Sequence, residues 1–261
     1  MINLDSNTVV KQINVGHQPQ SIAVDPASGL LLVGCDGVGV VQIYELQHYG
    51  MVGSVSTGEG PVRVTVHSSQ KVAYAVAAGS STMKVISLSS RKLIRAVPVG
   101  AKPRVIAVDE RDQMAYVGHW DSNKVTVIDL NAQRKISVLR VGKNPNTIAI
   151  ASEARLAFVG NYGDGENGGG SVSVIDLDHR SIRKTFDMDA GPSRVAVDED
   201  AHVAYLTCLY ARKVDVISFD TLTRVDRFST ANRPTGAAVD ESTGKLYVTN
   251  FISNVVQVFQ A

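Results

Sequence analysis

The chain has 261 residues, 44% of them hydrophobic, and its 26 Lys and Arg against 25 Asp and Glu leave a net charge of +1. That balance excludes a duplex-wide nucleic-acid footprint, which needs a strong basic excess, and no uncharged apolar run reaches the length of a membrane span. Two cysteines, Cys35 and Cys208, form neither a CxxC pair nor a zinc-ligand spacing, which excludes a disulfide framework.

The start, MINLDSNTVV at 1–10, lacks the basic and apolar regions of a secretory signal. As written the chain reads as cytoplasmic; a removed signal would make it periplasmic or surface-exposed. From residue 15 onward one unit recurs. Its copies run at about 15–56, 57–98, 99–140, 141–187, 188–229 and 230–261, and Pro19, Pro61, Pro103, Pro145, Pro192 and Pro234 open them at intervals of 42, 42, 42, 47 and 42 residues. The third copy is the clearest. It predicts strands over 104–108, 114–118, 124–129 and 135–141, rich in Val, Ile and Tyr and separated by Gly, Asp, Asn or Pro. One such unit cannot bury both faces of its sheet, so it must stack on others of its kind.

These repeats predict an all-β, six-bladed propeller of four-stranded antiparallel blades, forming a single domain over 1–261. The last copy stops after its third strand, at 255–260, while residues 7–15 (NTVVKQINV) align with the fourth strand of a copy. The N-terminal strand is therefore expected to complete the C-terminal blade and close the ring, removing an open edge. Between the first and second strands lies a turn of constant length: DPASG, HSSQK, DERDQ, ASEAR, DEDAH and DESTG. Asp25, Asp109, Asp198 and Asp240 recur there, where an Asp side chain can bond backbone just ahead and start the turn. The 47-residue copy differs after Asn161, where YGDGENGGGS adds five residues between the second and third strands.

The segment LYVTN at 246–250, with counterparts AYVGH, AFVGN and AYLTC, together with VGAKPRVIAVD and SNKVTVIDL, resembles the YVTN β-propeller repeat family over the whole chain. That family often has seven blades, so six is a departure. It includes surface-exposed and periplasmic proteins. Relatives serve as lactonases, lyases or amine dehydrogenase subunits, so the resemblance implies a fold more than a chemistry.

In a propeller, the links between blades and the loops between second and third strands share one face, here called upper, around the channel mouth. The links carry Arg63, Lys102, Arg104, Lys143, Arg194 and Arg233, with Glu59 and Asp189 as their only acids. A basic collar of this kind concentrates anions. One residue past the YVTN position stand Asp36, Ala78, Trp120, Tyr162, Leu209 and Phe251, with Tyr210 and Ile252 adjacent. Aromatics beside arginines are the material of binding hot spots. The expected ligand-binding residues are accordingly Arg63, Arg104, Trp120, Tyr162, Arg194, Arg233 and Phe251.

The sequence supplies little for catalysis. Cys35, His119 and Cys208 occupy the YVTN asparagine position on alternate blades, but points a third of a turn apart at a radius of roughly 10 Å are about 17 Å apart, whereas ligands of one zinc ion lie within about 4 Å of each other. His17, Glu59 and His119 are the acid–base candidates near the mouth. The inner strands lack a convergent His or carboxylate set, and there is no GxSxG, HExxH or P-loop. In the inserted loop Asp164, Glu166 and Asn167 form a weak candidate set for Ca²⁺ or another divalent metal, without EF-hand spacing; no further cofactor is expected. The reading that results is a non-enzymatic, monomeric scaffold for an anionic small molecule or an acidic protein surface. Its alternatives are a metal-dependent lyase or lactonase-like hydrolase at the channel mouth, and an accessory subunit of a redox or cell-surface assembly.

Overall fold

A computed structural model of the chain describes residues 1–60, 62–189 and 191–260, leaving the repeat proline Pro61 outside the described residues. The chain divides into two compact units, Met1–Ala96 and Val97–Ala261. Both are all-β. Among the described residues the only helices are two short 3-10 turns, Asp36–Val38 and Gly165–Asn167, and no helix is long and apolar enough to cross a membrane.

Each repeat is one antiparallel meander, so the six predicted blades are present in order. The third blade comprises Pro103–Asp109, Met114–His119, Lys124–Asp129 and Arg134–Arg140, with Tyr116 opposite both Ala107 and Val127. Its second strand is buried from Ala115 to His119 on both faces, whereas its outer strand carries exposed Arg134, Lys135 and Arg140. A middle strand with neighbours on both faces has no wet side, which is why AYVG reads as an unbroken apolar run instead of an alternation.

The turn between the first and second strands explains the constant five-residue spacing. Its fifth residue is left-handed in every copy: Gly29, Lys71, Gln113, Arg155, His202 and Gly244 have φ of 65°, 54°, 58°, 58°, 54° and 61°. Asp side chains hold the same turns, Asp109 Oδ1 accepting from the Arg111 amide at 3.2 Å and Asp198 Oδ1 from the Ala201 amide at 2.9 Å. The residue before the blade-opening proline is also left-handed at Gln18, Lys102, Asn144 and Arg233, although proline ordinarily pushes its predecessor to extended backbone.

A cross-strand polar pair recurs beneath the loop in five of the six blades, the second having Ala77 at that position. The last residue of the second strand bonds to a polar side chain on the third: Cys35 with Gln42, His119 with Thr126, Asn161 with Ser173, Cys208 with Asp215 and Asn250 with Gln257. In three blades the third-strand partner also accepts an amide from the link before the blade, Gly16 onto Gln42 at 2.7 Å, Gly142 onto Ser173 at 3.2 Å and Ala231 onto Gln257 at 2.7 Å. The YVTN asparagine position is thus a structural knot that ties a blade to its incoming link.

The core lies between blades. In the first unit Leu30, Leu32, Val41 and Ile43 meet Val62, Val64, Ala75 and Ile86. In the second, Tyr116, Val125 and Val127 meet Ala157, Val159 and Ile175, and Phe158 stacks on Phe219 with ring centroids 5.1 Å apart. Burying one such aromatic stabilises the fold by roughly 1.5–3 kcal/mol.

Among the described residues the sixth blade has three strands, Pro234–Asp240, Lys245–Asn250 and Val255–Gln260. The N-terminal strand expected to complete it belongs to the hairpin of the first unit. Thr8–Val9 pairs instead with Ile2–Asn3. Local chemistry wins here: Asn3 Oδ1 accepts from the Asp5 and Ser6 amides, both at 2.9 Å, and left-handed Asn7 completes a hairpin turn. Downstream, Ile13 and Val15 pack on Leu31, Val33 and Tyr44 of the first blade. Val255, Val256 and Val258 remain 44%, 40% and 40% exposed.

Candidate functional site

In the second unit the upper-face loops of successive blades bring three aromatic rings into a line. Trp120 follows the strand Met114–His119, Tyr162 follows Leu156–Asn161, and Tyr210 lies two residues past Val203–Cys208. The Trp120 and Tyr162 ring centroids are 5.3 Å apart at 43°. Tyr162 and Tyr210 meet edge-on at 6.0 Å, their hydroxyls 2.7 Å apart in a hydrogen bond. Burial and then that bond push the Tyr162 phenol up to about 12, so it is protonated at neutral pH.

An arginine caps each end of the row. The Arg104 guanidinium lies 5.0 Å from the Trp120 ring centre and that of Arg233 lies 5.5 Å from Tyr210, within the range at which a cation is drawn to an aromatic face. Arg104 is placed by a β-bulge, where the register slips between Pro103 and Val105; its Nε donates to Asn146 Oδ1 at 3.3 Å. Asn146 occupies the matching bulge of the next blade and donates to the Ser193 carbonyl at 3.3 Å. Arg194 is half-buried on the following inner strand. Burial, then the charge of Arg104, draws its pKa below the usual arginine value. Around the row, Lys102 pairs with Asp121, Lys143 with Asp164, and Arg233 with Glu166 at 3.4 Å. Beside Tyr210 opens a cavity of about 420 Å³ lined by Glu166, Leu209, Tyr210, Arg212, Asn232 and Arg233.

The other expected ligand-binding residues lie elsewhere. Arg63 belongs to the first unit and is buried, 7% exposed. Phe251 is in register with Trp120 and Tyr162 but stands 67% exposed, with no ring contact among the described residues. Tyr210 takes the place expected of Leu209, one residue later.

The acid–base candidates fall in both units. His17 and Glu59 are exposed in the first unit, and His119 is buried in the second. His119 Nδ1 donates to the Ala101 carbonyl at 2.8 Å, since a carbonyl can only accept, which leaves Nε2 to accept from the Thr126 hydroxyl at 2.9 Å. Burial lowers its pKa from the usual 6.5. Both nitrogens serve the structure. Cys35 and Cys208 are free and buried, and burial raises both thiol pKa values. In the inserted loop Asp164 and Glu166 each face a cation, Asn167 is exposed, and no three His, Cys, Asp or Glu side chains converge as a metal site among the described residues.

A second cavity, about 560 Å³, lies in the first unit, where Lys11, Gln12 and Asn14 face Tyr44, His48 and Met51. It was not legible in the repeat pattern, because one wall is the extended segment expected in the sixth blade.

No family model matches the chain, and no curated protein matches it. Solved structures do. The chain is similar to a hydrazine synthase structure from Kuenenia stuttgartiensis at 17% identity, covering 100% of this chain and 88% of that one with a TM-score of 0.88. It is similar to the Cps50 (Swd1) β-propeller domain from Myceliophteria thermophila at 10% identity, covering 100% and 89% with a TM-score of 0.83. The fold is a β-propeller. A functionally unknown protein from Desulfotomaculum acetoxidans is likewise similar, at 18% identity, 99% and 87% coverage and a TM-score of 0.85. Identities this low carry the propeller's architecture and no activity.

Proposed function

We propose that this propeller is a non-catalytic binding scaffold built from YVTN-type repeats, and that the upper-face loops of its second unit recognise an anionic small molecule or an acidic protein surface. One observation carries the reading: the row Trp120, Tyr162 and Tyr210 is capped at both ends by a stacked arginine. Aromatic area gives non-polar contact at small entropic cost, and guanidinium groups held on ring faces are oriented before a partner arrives. Arg194 adds positive charge on the adjoining inner strand. The engagement of both His119 nitrogens argues against an acid–base role.

Trp120 is the only tryptophan of the chain, so its fluorescence reports the site directly. Titration with an anionic peptide is expected to shift that emission, with affinity falling as ionic strength rises. An emission unmoved at any salt concentration, together with peptide capture by Trp120→Ala equal to that of the parent protein, would refute the reading.

A further inference from the structure

We infer that the cavity beside Tyr210 and Arg233 is a carboxylate-binding subsite for an acidic peptide, and that Glu166 of the inserted loop, on its wall, occupies Arg233 from within. The inference rests on the binding reading above and specifies its chemistry. Among copies of 42 residues only the fourth is extended, and the added residues carry a carboxylate to an arginine 67 positions along the chain, Glu166 Oε1 lying 3.4 Å from Arg233 Nη2. The two partners differ in how they are held.

Arg233 is fixed. Its left-handed backbone, φ 57°, precedes Pro234, its carbonyl accepts the Phe251 amide at 2.9 Å, and its guanidinium rests on Tyr210. Tyr210 is itself held by the Tyr162 hydroxyl. Glu166 hangs from a loop whose glycines at 163, 165, 168 and 169 all have positive φ, of 71°, 68°, 89° and 71°, and nothing lies within 4 Å of where a Gly168 side chain would begin. Its side chain is 68% exposed against 41% for Arg233. A water-exposed ion pair of this kind is weak and readily exchanged. The half of the pair held against Tyr210 is therefore the receptor, and the more exposed half an occupant.

The lining also fits a carboxylate. A guanidinium offers a planar fork of donors to its two oxygens, Arg212 adds a second cation, and the side-chain NH₂ of Asn232 can donate. Glu or Asp side chains of a peptide laid along the Tyr162 and Tyr210 rings would take the position that Glu166 holds. Binding then displaces the loop, so Glu166 acts as a built-in competitor that sets the affinity.

The test uses fluorescence anisotropy of the full chain with fluorescein-labelled hexaglutamate, and labelled hexaserine as the uncharged control. Glu166→Gln, at an exposed position, is expected to keep the melting temperature and bind hexaglutamate about two- to fivefold more tightly, the factor expected for loss of one exposed ion pair. Arg233→Gln is expected to weaken binding and to cancel the gain in the double variant. Equal affinity of Glu166→Gln and the parent protein would overturn the built-in competitor while leaving the scaffold reading intact. Absence of hexaglutamate binding by both proteins would overturn the two together.

Discussion

Two sets of arginines in the second unit carry the same charge to different ends. On the turns between first and second strands, Arg155 has a side chain only 13% exposed that reaches the fully buried Asp109 at 3.1 Å, Asp178 at 2.8 Å and Asp112. Nearby, the Glu199 carboxylate accepts the amides of Ser152, Glu153 and Ala154 at 2.7, 2.9 and 3.3 Å. These groups join neighbouring blades, and Arg155 and Glu199 each have three partners there. On the opposite loops Arg104 and Arg233 rest on aromatic faces, and the ion pair made by Arg233 is solvent-exposed. A charge enclosed by partners secures the scaffold; a charge laid on a ring remains available to a partner.

Removing one arginine from each set is the sharpest way to break that contrast. Arg155→Ala leaves Asp109 buried without its counter-charge and is expected to cost about 3–5 kcal/mol in chemical denaturation, whereas Arg104→Ala is expected to cost less than about 1 kcal/mol. Similar losses would mean that the two sets do the same work. Next in size, Trp120→Ala is expected to weaken binding of an acidic peptide about tenfold, which corresponds to about 1.4 kcal/mol, with the melting temperature little changed.

A backbone control follows. Gly29 has φ 65° and nothing within 4 Å of an added Cβ, so Gly29→Ala is expected to lose about 1 kcal/mol from left-handed strain alone, measured by thermal unfolding. The smallest effect concerns pH. Because His119 has a lowered folded-state pKa, the unfolded chain takes up a proton first. Its contribution is therefore intact above pH 6.5 and declines as pH falls through that value toward the lower folded pKa. His119→Asn, which installs the residue found at Asn161 and Asn250, is expected to flatten the fall in melting temperature between pH 8 and pH 5.

Much of the fold is legible because it rests on repeated local rules. The proline spacing, the turn Asp and the fifth-residue position each recur wherever the backbone needs them, so Gln113 and His202 can be placed in the same conformation as Gly29. Residues 7–15 mislead because their apolar pattern suits a fourth strand, while the hydrogen bonds of Asn3, a few residues upstream, favour a hairpin. In the site, Trp120 and Tyr162 are legible from their offset after the second strand. The stacking of Tyr210, in place of Leu209, depends on side-chain direction within a loop, and Phe251 shows that register alone does not create a contact. The bulges that aim Arg104 at Asn146 leave no mark in composition. Nor does the meeting of Glu166 with Arg233, which follows from blade packing and not from any local pattern.

The two cysteines acquire a use from this arrangement. Cys35 lies in the first unit and Cys208 in the second, each buried and reduced. Alkylation requires an exposed thiolate, and burial holds both thiols in the protonated form. Each sulfur is thus a clock for the opening of its own half of the chain, started by adding iodoacetamide and read by peptide mass. Equal rates would describe one cooperative body, and unequal rates would tell which half yields first.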